Sequence, residues 1–268
     1  MLFAISNVAE TAPNNSIYTG ICAIALALIH LFASKLKFLS TMPRSRWLSG
    51  ASGVSVAYVF VHLLPELSEK QEAFAGSKTG ILENHVYVMA LVGLTVFYGL
   101  ERLVTESRRK KAHQPEEVEP GVYWLHIISF AIYNALIGYL LFHREEAGLA
   151  SLFLYVLAMG LHFIVNDFGL SHDYKNAYRH SGRWIVAGAI IVGSIIGWGS
   201  EISEITISLL FSFLAGSVVL NVLKEELPEE RKSKFEVRPR AAERRKGTRT
   251  FSAFVLGAFV YTILLLLI

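Results

Sequence analysis

His162, Asn166 and Asp167 fall within six positions of one another in the apolar run Leu161-His162-Phe163-Ile164-Val165-Asn166-Asp167-Phe168-Gly169. His162 and Asn166 are four apart, so on a helix they share one face. Asp167 lies about 140° round from His162, so one ion reaches both only at the edge of that face. A second apolar run, Phe130-Ala131-Ile132-Tyr133-Asn134-Ala135-Leu136-Ile137-Gly138, contributes a phenol and a carboxamide. An imidazole with oxygen donors suits a first-row divalent ion, and the lack of thiolate speaks against tight structural zinc or copper(I). The candidate metal-binding set is therefore His162, Asn166, Asp167, Asn134 and Tyr133. Taken singly, a His or Asn in a membrane helix often only bonds a neighbouring helix. A cluster of this density favours a lined pathway.

The elements that must position these groups are charge-free stretches, because a membrane helix needs about 17 to 25 apolar residues and each buried charge is costly. Eight such spans are expected, over 11–34, 47–65, 84–100, 120–143, 147–166, 184–200, 205–223 and 250–268. With 53% apolar residues and short connections, the chain reads as one all-α integral membrane domain. Runs such as Ile185 to Ile196 lack the alternation of a β-barrel. Met1 to Ser16 has no Lys or Arg, so a cleaved signal peptide is not expected. The single cysteine, Cys22, offers no intrachain disulfide.

Basic residues stay on the cytoplasmic side. Of the 25 Lys and Arg, 22 fall in connections after odd-numbered spans, and only Lys70, Lys78 and Arg144 fall in the others. Both termini are thus expected outside. The positive-inside bias accounts for the net charge of +3 without a nucleic-acid partner. The basic segment 225–248 reads as a solvated cytoplasmic loop.

Fourteen residues, Gly53 to Glu66, return without a gap as Gly216 to Glu229, with Gly, Val, Val, Leu, Pro and Glu identical at six positions. On this orientation span 2 runs outward and span 7 inward, which makes the repeat inverted, a plan that secondary transporters use for two-sided access. Polar residues near this frame form a secondary pathway set: His62 and Glu66 at the outer end of span 2, Asn221 in the inverted copy, and His172 and Asp173 just past span 5. His30, His126, His143 and Glu101 lie near span ends and are expected to snorkel to the interface.

On these residues the chain resembles the ZIP family of divalent-metal transporters. Ala51 to Glu66 is similar to that family's second helix, and Phe97-Tyr-Gly-Leu-Glu-Arg-Leu103 resembles the end of its third. Tyr133-Asn-Ala-Leu-Ile-Gly138 falls on the family's His-Asn-Phe-Pro-Glu-Gly, keeping Asn134 and Gly138. His162-Phe-Ile-Val-Asn-Asp-Phe-Gly169 falls on His-Glu-x-Pro-His-Glu-x-Gly, keeping His162, Gly169 and an acid at Asp167. The resemblance implies eight helices in a 3+2+3 inverted-repeat arrangement with both termini extracytoplasmic. It also implies a metal pathway between helices 4 and 5, and a non-enzymatic carrier of zinc, iron or manganese toward the cytoplasm, in a bacterial inner or plasma membrane. No tightly bound cofactor is expected; the partners are the divalent ion as substrate, the lipid bilayer and, in a homodimer, a second copy of the chain. Against the family pattern most acids are replaced, which weakens divalent binding. The alternatives are a transport-inactive membrane scaffold or regulator, a carrier of a larger or less charged species, and, more remotely, a metal-dependent intramembrane hydrolase.

Overall fold

The structure, a computed structural model, describes residues 12–33, 46–75, 85–110, 119–144, 148–226 and 241–267, and every element among them is helical. The helices are α1 (Ala12–Phe32), α2 (Arg46–Tyr58), α3 (Leu64–Ala75), α4 (His85–Lys110), α5 (Pro120–Leu141), α6 (Leu149–Ala177), α7 (Arg183–Gly199), α8 (Glu204–Asn221) and α9 (Ala241–Leu266). Three π-helical turns, Val59–Leu63, Tyr178–Gly182 and Val222–Glu226, join α2 to α3, join α6 to α7 and extend α8. Five helical stretches are long and apolar enough to cross a membrane, and the apolar stretches of α1 and α9 are shorter. The helices outrun the charge-free windows: α4 continues past residue 100 to Lys110, and α9 begins at Ala241, inside the expected loop. The remainder of that loop before Ala241, and the Leu227-Pro228-Glu229 end of the repeat, lie outside the described residues.

Glycine decides how closely these helices approach, because in an apolar surround tight packing of small residues replaces the hydrophobic drive. A Cβ on Gly53 of α2 would stand 2.0 Å from the carbonyl oxygen of Phe254 on α9, and one on Gly257 would stand 2.2 Å from that of Gly50. The same crossing recurs between α8 and α4: Gly216 against Ala90 O at 1.8 Å, and Gly93 against Phe213 O at 2.0 Å. Gly216 and Phe213 follow Gly53 and Gly50 by 163 positions, and Gly257 and Phe254 follow Gly93 and Ala90 by 164. The structure thus extends the fourteen-residue repeat to a second helix in each copy.

The π-helical turns repeat at the same offset. Pro65 has no N–H to give Val61, its partner four residues back. The turn before it widens, and Leu64 N–H reaches the carbonyl of Val59, five residues away. Val222–Glu226 occupies the corresponding place in the second copy. The body of α2 packs on the turn that ends α8, and α8 packs on the turn that ends α2.

The tightest packings are α2 on α9, α4 on α8, and α5 on α7, where Gly193 meets the backbone of Ala135; α1 packs on α6 and α7, and α2 also packs on α6. Chain 149–199 is a continuous helical stretch of 51 residues, broken at Lys175, whose φ of 42° and ψ of −114° are not helical. That break turns the chain between α6 and α7 and has a direct consequence for the buried polar groups.

Candidate functional site

Seven polar side chains meet among α1, α5 and α6, none more than 6% exposed: His30 on α1, Tyr133 and Asn134 on α5, His162, Asn166 and Asp167 on α6, and Tyr178 beyond the break. They divide into two cells. In the first, His30 Nδ1 donates to Asp167, 3.0 Å from Oδ1 and 3.1 Å from Oδ2, and His30 Nε2 stands 2.8 Å from Asn134 Oδ1. Asn134 cannot present its amide nitrogen instead, because Nδ2 already donates to the Phe130 carbonyl at 2.8 Å. Both ring nitrogens of His30 therefore face acceptors. His30 thus bridges Asp167 and Asn134, and the Tyr178 hydroxyl donates to the same Asp167 carboxylate.

In the second cell, His162 Nε2 receives the Tyr133 hydroxyl at 2.8 Å and Asn166 Nδ2 at 2.9 Å. An imidazole nitrogen that accepts carries a lone pair, so here Nε2 is the natural metal-binding atom, held off by two donors. Phe163 separates the cells; its ring centroid lies 4.3 Å from that of His30 and 6.2 Å from that of His162. The five residues of the sequence-derived set thus lie in one polar region, but the 140° between His162 and Asp167 sends them to different neighbours. His162 turns to α5 and Asp167 to α1. Among the described residues, no three of His, Cys, Asp and Glu gather into a metal-binding group.

Two members were not anticipated. His30 is 2% exposed and central to the first cell, rather than snorkelling at a span end. Its signal was present: it is the only histidine of α1 and lies in a charge-free run. Tyr178 gives no such signal. Eleven residues along a straight helix is roughly 16 Å, so only the break at Lys175, unmarked by Gly or Pro, brings its hydroxyl back to Asp167.

His126 and Glu101 also depart from interfacial placement. His126 is 3% exposed, with Nδ1 2.5 Å from the Tyr174 hydroxyl and Nε2 3.3 Å from Glu101 Oε1, while Lys224 holds the other oxygen of Glu101. His143 is half-buried and stacked on Tyr139 at 4.4 Å. Of the secondary set, His62 Nε2 stands 3.7 Å from Glu66 Oε2, with Lys70 Nζ 3.9 Å from the same carboxylate. His172 and Asp173 form a 3.3 Å pair in which His172 is exposed. Asn221 is buried, and its Nδ2 makes no hydrogen bond. None of these joins the seven-residue cluster.

No protein-family profile, curated protein or solved structure matches the chain.

Proposed function

We propose that this protein is a ZIP-like membrane carrier that moves a divalent cation toward the cytoplasm without ATP, through the buried polar cluster of α1, α5 and α6. The observation that carries the reading is the cluster itself. Two imidazoles, a carboxylate, two carboxamides and two phenols are buried together among apolar helices, where unsatisfied polar groups cost several kcal/mol each, and such groups mark ion pathways.

The scaffold supports it. The 51-residue stretch is roughly 76 Å long if straight, more than two crossings of a ~30 Å hydrocarbon core require. Counted as two spans and added to the other long helices and to α1 and α9, it makes eight. All four tryptophans stand near helix ends with exposed rings, Trp47 on α2, Trp124 on α5, and Trp184 and Trp198 on α7, as interfacial anchors do. The glycine crossings that recur at 163 or 164 positions, with each repeat helix packed on the other's terminal turn, are what a 3+2+3 inverted repeat produces. The charge bias favours both termini outside.

In this reading Asp167 supplies the cluster's carboxylate, and His30 holds it until an ion arrives. An incoming zinc, iron or manganese ion displaces the imidazole from Asp167 and takes the carboxylate, with Asn134 as a further donor, while His162 Nε2 offers a separate donor in the second cell. Weak binding suits passage, since a conducted ion must also leave. The complete pairing of the cluster favours one other reading, a transport-inactive scaffold in which the same groups only join helices. Zinc, iron or manganese uptake into proteoliposomes separates the two. Flux above protein-free vesicles that disappears in His162→Ala/Asp167→Ala supports the carrier; flux unchanged in that double variant removes the assigned site, and none in the wild type supports the scaffold.

A further inference from the structure

We propose a binding site for one anionic phospholipid where α1 meets α6 and α7, with Arg183 holding the phosphate and a groove along α1 holding an acyl chain. Ala25, Leu28, Ile29, Phe32 and Ala33 recur at helical spacing along one face of α1, and with Ile164 of α6 they line a groove of about 260 Å³. Its lining is wholly apolar. From Ala25 to Ala33 the face runs about 12 Å, close to the roughly 15 Å of half a hydrocarbon core. Ala25, Leu28 and Phe32 are exposed, so the groove opens on the outer surface of the helices, where lipid lies.

An apolar face alone selects no lipid; the charge at its end does. α1 ends at Phe32, and the carbonyl of Leu31, among the last that a helix leaves unbonded, lies 3.5 Å from Arg183 Nη1 of α7. A guanidinium therefore stands beside the end of the groove. Its Nε–H is buried without a hydrogen bond, and among the described residues no carboxylate pairs with it. Between Asp173 and Glu201 the chain carries Lys175, Arg179 and Arg183 and no acid. Two phosphate oxygens can accept from Nε–H and Nη2–H together, the two-handed grip that a planar guanidinium offers. Trp184 is exposed, with its ring centroid 5.6 Å from Arg183 Cζ, and marks this level as the boundary between hydrocarbon and headgroups. An acyl chain in the groove and a phosphate on Arg183 belong to one molecule. That molecule braces the turn of α1 that presents His30 to Asp167, but the site does not rest on the carrier reading.

The test is native mass spectrometry of the purified full-length chain titrated with phosphatidylglycerol or with phosphatidylcholine of the same acyl chains. One phosphatidylglycerol should bind about tenfold more tightly than phosphatidylcholine, as a charge-assisted pair with an unopposed guanidinium requires. Arg183→Gln should erase that preference and leave the weaker binding of both lipids that the groove supplies. Arg179→Gln removes an exposed charge from the preceding turn and should keep the preference. Ala25→Trp, at an exposed position, should weaken both lipids by filling the groove. Equal affinity for the two lipids in the wild type, a preference that survives Arg183→Gln, or one that Arg179→Gln removes as fully, overturns the proposal. So does an Ala25→Trp variant that binds both lipids as the wild type does.

Discussion

The clusters around Asp167 and Glu101 are built alike and set differently. Each has one carboxylate, a histidine beside it and a tyrosine on the chain near the Lys175 break. At Asp167 the histidine is His30 on a packed helix, every partner is buried, and the donors and acceptors close on one another. At Glu101 a half-exposed lysine on a flexible stem is added to His126, whose Nε2 stands 3.3 Å from the same carboxylate. The difference lies in how firmly each carboxylate is held: every partner of Asp167 is buried on a packed helix, whereas Lys224 reaches Glu101 from a side chain that is 40% exposed.

Breaking each pair tests this contrast. Asp167→Ala strands the buried His30 ring and the Tyr178 hydroxyl, so the largest loss is expected there, about 3–5 kcal/mol by analogy with other broken buried pairs, read as a lowered unfolding temperature in detergent. Next come the crossings that hold the frame: Gly53→Ala and Gly216→Ala each force a methyl group against a backbone carbonyl. Each should cost about 1–3 kcal/mol, and the two losses should match if the halves are equivalent. Tyr133→Phe removes its hydrogen bond to His162 Nε2 without emptying the space, for about 1 kcal/mol. Smallest should be Lys224→Gln, below about 1 kcal/mol because its ion pair is open to solvent. A Lys224 variant as damaging as Asp167→Ala would erase the distinction between the two clusters.

Much of this frame is legible in the residues themselves. Asp167, His162, Asn166, Asn134 and Tyr133 stand out because polar groups are rare in such apolar runs, and the repeat is visible because its helices must present glycine at the same crossing. The partners of those glycines are not: Gly93 and Gly257 sit in otherwise dissimilar sequences and align only once the helices pack. His30 escapes because distance from the nearest charge measures depth along a helix, not which face turns inward. Tyr178 escapes because a backbone break at a lysine carries no Gly or Pro. Glu101 and His126 look like ordinary span-end polarity until α4, α5 and the turn after α8 come together. The positions of the acids are thus readable locally, and their partners are long-range facts.

The central claim, that the buried cluster takes a cation, is tested most directly by anomalous scattering from crystals of the full-length protein soaked in zinc or manganese. The account predicts a peak within coordination distance of Asp167 with His30 Nδ1 moved off the carboxylate, and its loss in Asp167→Asn. Crystals with no peak in the cluster and the His30 to Asp167 pair intact, from protein that still carries the metal across a bilayer, would contradict it.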